Sequence, residues 1–150
     1  MGGEHTPIEK LGFFADFVRI ADWAWDCVSQ WDPLARDTVG KQLVRAVDSI
    51  GANLVEGDGR FSKADGLHFF VIARASARET RYWLERARDR NLIPTDEIQE
   101  QINALESATR KLNALISYRR DKSGGSLTRE ETAEYDPIPN TEHPIPKEVL

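Results

Sequence analysis

Residue types that build covalent or metal sites are scarce in this chain of 150 residues. It holds 1 Cys, 1 Met and 3 His. One cysteine cannot form an intrachain disulfide, and His5, His68 and His143 are too far apart in the sequence for the spacing of a metal site. We therefore expect no disulfide framework, no bound metal and no cofactor.

Long apolar runs are missing too. No stretch approaches the ~18 apolar residues that a membrane span requires, and the segment Met1 to Lys10 lacks the apolar core of a signal peptide. No segment alternates apolar and polar residues between turn signals, as strands in hairpins do. These absences predict a soluble, cytoplasmic, all-α protein without membrane contact.

The charge of the chain is acidic overall but unevenly distributed. With 20 Lys/Arg and 25 Asp/Glu, the net charge is −5, which excludes the uniformly basic surface of a generic nucleic-acid binder. Residues 62–94 hold 7 basic and 4 acidic side chains, whereas residues 121–150 hold 3 and 7. A local basic face is therefore compatible with the sequence.

Four segments repeat apolar residues at the spacing of an amphipathic helix. They cover about residues 13–31, 34–56, 63–90 and 95–120, separated by Asp32-Pro33, Gly57-Asp58-Gly59 and Asn91 to Pro94. The residue before proline leaves the helical region, glycine accepts a left-handed cap, and Ser62 is the expected N-cap of the third helix. Short connections between long helices predict an antiparallel up-down four-helix bundle over residues 1–120.

The composition changes after residue 120. We predict a flexible linker at residues 121–126 within an acidic segment, 121–150, that holds four of the 7 prolines. Asp136-Pro-Ile-Pro139 and His143-Pro-Ile-Pro146 form a near-repeat, whose alternating prolines exclude helix and favour extended or polyproline II backbone. Two interpretations stay open: a disordered tail, or an extended arm that docks Ile138 and Ile145 on a neighbouring subunit.

The first helix is apolar around more of its circumference than its own core requires. One stripe holds Phe14, Val18, Ala21, Trp25 and Val28, which we assign to the core of the bundle. A second stripe has the same spacing, and a helix with two apolar stripes needs a second partner. We predict a subunit interface, unless the tail or loops cover this stripe. The interface residues are Phe13, Phe17, Ile20, Trp23, Ala24 and Trp31. Cys27 lies on this stripe and is expected to be a small apolar residue, not a nucleophile.

Polar side chains interrupt the apolar faces of the second and third helices. Arg45, Ser49 and Asn53 share one helix face, and Ser76 and Glu79 interrupt the next helix. Because buried polar groups persist only when they are hydrogen-bonded, we predict a structural network in which Arg45 or Arg60 pairs with Glu79 or Glu56. An active site centred on Asn53 and Glu79 is the alternative. No nucleophile stands beside a base, so we expect neither an enzyme nor a small-molecule substrate.

Arginines recur along the third helix. Arg74, Arg78 and Arg81 lie on one edge, followed by Arg86 and Arg88. The functional interpretation is phosphate contact with RNA or DNA. The alternative is a solvated face that nearby carboxylates neutralise.

The run Lys41-Gln-Leu-Val-Arg-Ala-Val-Asp-Ser-Ile-Gly-Ala-Asn-Leu-Val-Glu-Gly-Asp-Gly-Arg60, continued by Phe70-Val-Ile-Ala-Arg-Ala-Ser-Ala-Arg-Glu79, resembles the bacterial four helix bundle protein family. Its members include proteins encoded in intervening sequences of 23S ribosomal RNA genes. A distant branch contains the accessory variability determinant proteins of diversity-generating retroelements. The resemblance covers about residues 13–118 and implies a cyclic homopentamer of up-down bundles. It places the family's characteristic polar positions at Gln42, Arg45, Ser49, Asn53, Glu56, Gly57, Arg60, Ser76 and Glu79.

The resemblance implies little chemistry. The ribosomal-gene members have no established catalytic role, and the retroelement branch binds a reverse transcriptase and nucleic acid through a basic surface. We therefore expect a non-enzymatic, homo-oligomeric scaffold. The alternative is a nucleic-acid-binding or reverse-transcriptase accessory protein that uses the arginine edge.

Overall fold

The computed structural model describes residues 4–123, with side chains to residue 122. A 3-10 turn at Ile8–Lys10 precedes α1 (Gly12–Val28). The short α2 (Pro33–Ala35) and a π-helical turn (Arg36–Gly40) lead into α3 (Lys41–Asp58), and α4 (Lys63–Asp89) and α5 (Thr95–Ser123) follow. Residues 4–123 contain no strand. The all-α class and the four long helices are thereby confirmed.

The two ends of α4 show how local sequence sets helix boundaries. At its start, the Ser62 hydroxyl accepts a hydrogen bond from the Asp65 N–H at 3.4 Å, which confirms the predicted N-cap. At its end, Asn91 has a φ of 57°, in the left-handed region that asparagine tolerates better than most residues. The Leu92 N–H then donates to the Ala87 carbonyl at 2.9 Å, and this bond closes the helix.

The segment 34–56, predicted as one helix, is helical but is divided into α2, a π-helical turn and α3. α1 ends at Val28, four residues before Asp32, where the sequence predicted the stop. Pro33 instead begins α2, a position where its missing N–H costs nothing. The π-helical turn that follows places Gly40 against the end of α1. A Cβ at Gly40 would lie 2.5 Å from Val28 Cγ1, so this close approach requires glycine.

The glycines between α3 and α4 have a different role from the predicted one. We expected a left-handed cap at Gly57-Asp58-Gly59, but Gly57 lies inside α3 and Gly59 has a φ of −80°. A Cβ at Gly57 would lie 2.7 Å from the Gly66 carbonyl oxygen, and a Cβ at Gly66 would lie 2.6 Å from the Gly57 carbonyl oxygen. These two glycines are needed because two helix ends touch through their backbones.

The four long helices surround one apolar core. Each packs against the next along the chain, and α1 also packs against α5. All four contribute to the largest fully buried side chains, because each carries apolar residues at helical spacing. These side chains include Phe17, Leu43, Ile50, Leu54, Phe70, Leu84, Ile98, Leu105, Leu112 and Ile116.

Asp58 forms hydrogen bonds that hold several segments together at one end of the helices. The sequence analysis treated it only as part of a turn. Its carboxylate accepts hydrogen bonds from the Ile8 N–H (3.1 Å), from His5 Nε2 (3.2 Å) and from Arg119 Nη2 (3.4 Å). Burial alone would raise the pKa of Asp58, but the Ile8 hydrogen bond and the contacts with His5 and Arg119 hold it below the usual range. The segment before α1 and the ends of α3 and α5 thus meet at Asp58.

The last helix passes the predicted domain boundary. α5 continues to Ser123, so the first residues of the predicted linker 121–126 are helical. The predictions for the acidic tail fall on residues 124–150 and lie outside the described residues. Within the described part of the chain, no helix is both long enough and apolar enough to cross a membrane.

Candidate interaction surfaces

The structure corrects the assignment of the two apolar stripes of α1. Four of the predicted interface residues, Phe13, Phe17, Ile20 and Ala24, are buried in the core; Phe17 is 1% exposed. The predicted Trp23 and Trp31 are half-buried and pack against the same core. Both stripes have the same spacing, so periodicity alone could not decide which one faces α3 and α5.

The stripe that was assigned to the core is only partly buried: Ala21 and Val28 are in the core as predicted, but other members lie at the surface. Val18 is 40% exposed and Trp25 is 63% exposed on α1, and Val55 of α3 is 42% exposed. Together with three neighbours they form a line along the outside of the two packed helices. We call this line the α1–α3 seam; it consists of Phe14, Val18, Trp25, Val44, Gly51 and Val55.

Two carboxylates interrupt the α1–α3 seam near its middle. Asp22 and Asp48 line a small cavity of about 90 Å³ with Val18 and Gly51. Burial, and then the charge of Asp22, raise the pKa of Asp48. The seam is therefore an apolar surface with one local acidic site.

A groove with cationic residues along its rim lies at the Trp25 end of the seam. It has a volume of about 420 Å³. Its floor is apolar, from Trp25, Val28 and Val44, and the rest of its lining is Ser29, Arg36, Lys41 and Arg45. We call it the Trp25 groove. An apolar floor below cations favours a ligand that carries both apolar and acidic groups.

A second groove, between α3 and α4, brings together part of the predicted polar network. Gln42, Arg45, Ser49 and Glu79 line it together with Asp48, around a volume of about 410 Å³. These residues come from two helices, as the sequence analysis expected. Within residues 4–122, Arg45 has no ion pair, so the predicted pairing of Arg45 with Glu79 is not present.

The hydrogen bonds of the first network residues stay within α3. The Ser49 hydroxyl donates to the Ala46 carbonyl at 2.8 Å, and Asn53 Nδ2 donates to the Ser49 carbonyl at 2.7 Å. Arg60 pairs with Glu56, which is one of the predicted pairings, but the pair lies on the exposed surface. These contacts stabilise single helical turns and do not link α3 to α4.

The remaining network residues behave in the same way in α4. Glu79 accepts a hydrogen bond from Trp83 Nε1 at 3.2 Å. The Ser76 carbonyl accepts one from the fully buried hydroxyl of Thr80 at 2.8 Å. Asn53 and Glu79, the centre of the alternative active site, therefore make separate local hydrogen bonds.

The predicted arginine edge of α4 is largely occupied by contacts within the chain. Arg74 is buried, 8% exposed, and its Nη1 donates to Asn113 Oδ1 at 3.3 Å. Arg81 pairs with Glu85 at 3.0 Å and also with Glu106 of α5. Both arginines connect α4 to α5, which sequence spacing could not reveal because the partners lie 39 and 25 residues away.

The other arginines of the predicted edge differ in whether a carboxylate of the chain already pairs with their charge. Arg86 and Arg88 both bind Asp89, and the hydrogen bond from Arg88, then that from Arg86, lowers the pKa of this carboxylate. Arg78 is exposed and has no ion pair among the described residues. Arg110 of α5, which the sequence analysis missed, is likewise exposed and has none.

Arg78 and Arg110 meet in a third groove, which lies between α4 and α5. It has a volume of about 280 Å³, and its lining includes Arg74, Arg81, Glu106 and Thr109. Of the two interpretations of the arginine edge, the ion pairs with Glu85 and Asp89 favour a face that nearby carboxylates neutralise. The charge that stays available lies in this groove, where two helices supply it. We call it the α4–α5 groove.

The described residues offer little for catalysis or metal binding. Burial, and then the charges of Glu97 and Asp26, raise the pKa of the Cys27 thiol, which makes it a poor nucleophile at neutral pH. Within residues 4–123, no group of three or more His, Cys, Asp or Glu could hold a metal ion. Among the described residues, the surfaces that could contact a partner include the α1–α3 seam and these grooves.

Four long helices around one apolar core, with solvent-facing grooves between them, place the described part of the chain in the all-α class. The chain belongs to the 23S rRNA-intervening sequence protein family, whose model matches residues 9–114. A crystal structure of a protein of unknown function from the S23 ribosomal protein family of Bacteroides thetaiotaomicron is similar, with a TM-score of 0.62 and 25% identity. The match covers 69% of this chain and 97% of that chain. No curated protein matches the chain.

Proposed function

We propose that the chain is a non-enzymatic scaffold protein, an up-down four-helix bundle that self-associates through the α1–α3 seam. The observation that carries this proposal is the seam itself. Val18, Trp25 and Val55 are exposed apolar side chains in line on two adjacent helices. Contiguous apolar surface of this kind marks interfaces, because leaving it in water costs free energy.

The length of the seam is sufficient for the apolar centre of one protein–protein interface. From Val44 to Val55 the seam extends along α3 by about 17 Å, at the rise of an α-helix. A stable interface buries about 800 Å² on each partner, so the seam would form its apolar centre and the polar residues beside it the rim. The family resemblance supports a cyclic pentamer, a head-to-tail ring in which the seam of one chain would contact a different surface of the next chain.

The test is the mass of the full chain in solution. Val18→Lys and Val55→Lys each place a charge in the seam, and we expect them to shift the mass measured by sedimentation velocity toward the 17.0 kDa of one chain. Ala75→Lys and Ala104→Lys, at exposed positions on α4 and α5, are the matched controls and should leave the mass unchanged. A wild-type chain that sediments as a monomer would reject the proposal.

A second candidate function is nucleic-acid binding at the α4–α5 groove. Arg78 and Arg110 support it, because their charges are available, whereas the other arginines of the edge have partners. The accessory role with a reverse transcriptase that the resemblance implies would use the same surface. Each phosphate contact makes binding weaker as salt increases.

An oligonucleotide titration at several salt concentrations tests this candidate. We expect the Arg78→Glu/Arg110→Glu double variant to abolish binding to single-stranded RNA or DNA. Lys111→Glu changes an exposed charge outside the groove and should reduce binding only slightly. If the wild-type chain does not bind at low salt, this function is excluded.

A further inference from the structure

The Trp25 groove has an apolar floor with an exposed aromatic ring and a set of cationic side chains, and both features favour the same kind of occupant. The Trp25 indole, 63% exposed, and the side chains of Val28 and Val44 give it an apolar floor. An aromatic ring at the surface of such a groove is the feature on which proline-rich segments in polyproline II conformation dock.

The charges around the groove are largely available. Lys41 and Arg45 have no hydrogen bond or ion pair with any other described side chain, and Arg36 pairs only with its exposed neighbour Asp37. Two uncompensated cations above an apolar floor favour a segment that places carboxylates next to apolar residues.

The chain contains such a segment beyond the described residues. Residues 124–150 hold six acidic and two basic side chains and four prolines. Within them, Glu130, Glu131, Glu134 and Asp136 come directly before Pro137-Ile-Pro139. The second repeat, Pro144-Ile-Pro146, has only Glu142 shortly before it and Lys147 directly after it. The first repeat therefore matches the cationic groove better.

The covalent connection is long enough for this segment to reach the groove of its own chain. α5 ends near Asp58, since Arg119 Nη2 lies 3.4 Å from Asp58 Oδ1. The groove lies at the other end of α3, whose length is about 27 Å at the rise of an α-helix. From Ser123 to Ile138 the chain can span about 46 Å as polyproline II.

We propose that residues 130–139 dock in the Trp25 groove of the same chain. Pro137 and Pro139 pack on the Trp25 indole, Ile138 lies on the apolar floor, and the preceding carboxylates face Lys41 and Arg45. Because the connection spans the distance, a high effective concentration favours this contact over docking on a second copy. It covers the Trp25 end of the α1–α3 seam and leaves the Val18 and Val55 end free.

Disulfide trapping in the full chain tests the contact. In a Cys27→Ala background, Ser29→Cys places a thiol on the exposed rim of the groove, and Asn140→Cys places one just after the first Ile-Pro repeat. Lys147→Cys, which follows the second repeat, is the matched partner for comparison. Ala75→Cys, at an exposed position on α4 outside the groove, controls for random encounter with Asn140→Cys.

We expect an intrachain disulfide in the Ser29→Cys/Asn140→Cys chain, with a yield at least about fivefold above that of either control pair. Ile138→Asp should abolish the excess yield, and Ile145→Asp should not. Equal yields in all pairs, or a product that forms only between chains, would overturn the proposal.

A charge exchange separates the contact from general effects on folding. Lys41→Glu/Arg45→Glu should lower the disulfide yield about fivefold or more, because it replaces attraction by repulsion. Adding Glu130→Lys, Glu131→Lys, Glu134→Lys and Asp136→Lys should restore the yield, and a failure to restore it would also count against the contact. The Val55→Lys chain should keep the wild-type yield, so the docking and the self-association proposed above can fail independently.

Discussion

The close contact between Gly57 and Gly66 predicts that one added methyl group, in Gly57→Ala, destabilises the protein. In the interior of a helix, Gly→Ala ordinarily stabilises a protein by up to about 1 kcal/mol. At Gly57 the added methyl group would lie 2.7 Å from the Gly66 carbonyl oxygen and 2.9 Å from both Phe69 Cβ and Phe70 Cδ1. The first of these atoms is backbone inside α4 and cannot rotate away, so α3 and α4 must move apart.

The magnitude follows from these opposing effects. Overpacking of a well-packed contact costs about 1–3 kcal/mol, and three contacts below 3.0 Å place Gly57→Ala at the upper end. After the helix-propensity gain, we expect a net loss of about 2 kcal/mol in the free energy of unfolding. For a chain of this length, that corresponds to a fall in Tm of about 4–8 °C.

The assay is thermal and urea unfolding followed by circular dichroism, with Gly51→Ala as the matched control. Gly51 also lies inside α3, but a methyl group there would meet the Phe14 ring at 3.7 Å, an ordinary contact. We expect Gly51→Ala to raise the stability by about 0.5–1 kcal/mol. Because Gly51 belongs to the α1–α3 seam, where self-association would make stability depend on concentration, all variants are measured at one protein concentration. Gly66→Ala should reproduce the loss. A Gly57→Ala chain as stable as Gly51→Ala would refute the reasoning.

Three further predictions concern ionisable groups. Because the pKa of Asp58 is lowered by folding, its stabilisation is present at neutral pH and is lost as the pH falls through that lowered value. Asp58→Asn should therefore cost about 1–2 kcal/mol at pH 7 and much less near pH 2 in urea unfolding; an equal cost at both pH values would contradict this. The raised pKa of Cys27 predicts slower alkylation by iodoacetamide in the folded than in the urea-unfolded chain, and equal rates would refute it. Glu106→Gln removes an exposed partner of Arg81 and should cost less than about 1 kcal/mol; a larger loss in urea unfolding would disprove that estimate.

Sequence patterns predicted the elements of the fold well because they depend on neighbours along the chain. The apolar spacing of residues 63–90, for example, required only a helix to bring Phe70, Ala73 and Leu84 to one face, and all three are buried. The hydroxyl of Ser62 needed only the N–H three residues on. Asn91 shows the limit of such reasoning: the break was expected, but its left-handed backbone was not.

The candidate surfaces were predicted less well, because they depend on partners far apart in the sequence. Arg81 and Glu106 are separated by 25 residues, and Asp58 and Arg119 by 61. No local spacing distinguishes an arginine with such a partner from one without. Arg110 was missed for the same reason: only the packing of α5 on α4 brings it beside Arg78.

The sequence by itself determined that the chain forms four long helices, where their breaks lie, and that α1 carries more apolar surface than one core can bury. Only the tertiary structure decided which positions of the two stripes of α1 are buried. Phe17 and Val18 are adjacent in sequence, yet one is 1% and the other 40% exposed. Helical periodicity fixes the angle between two faces but not the direction of the core. That direction is set by where α3 and α5 pack, and it leaves Trp25 at the surface.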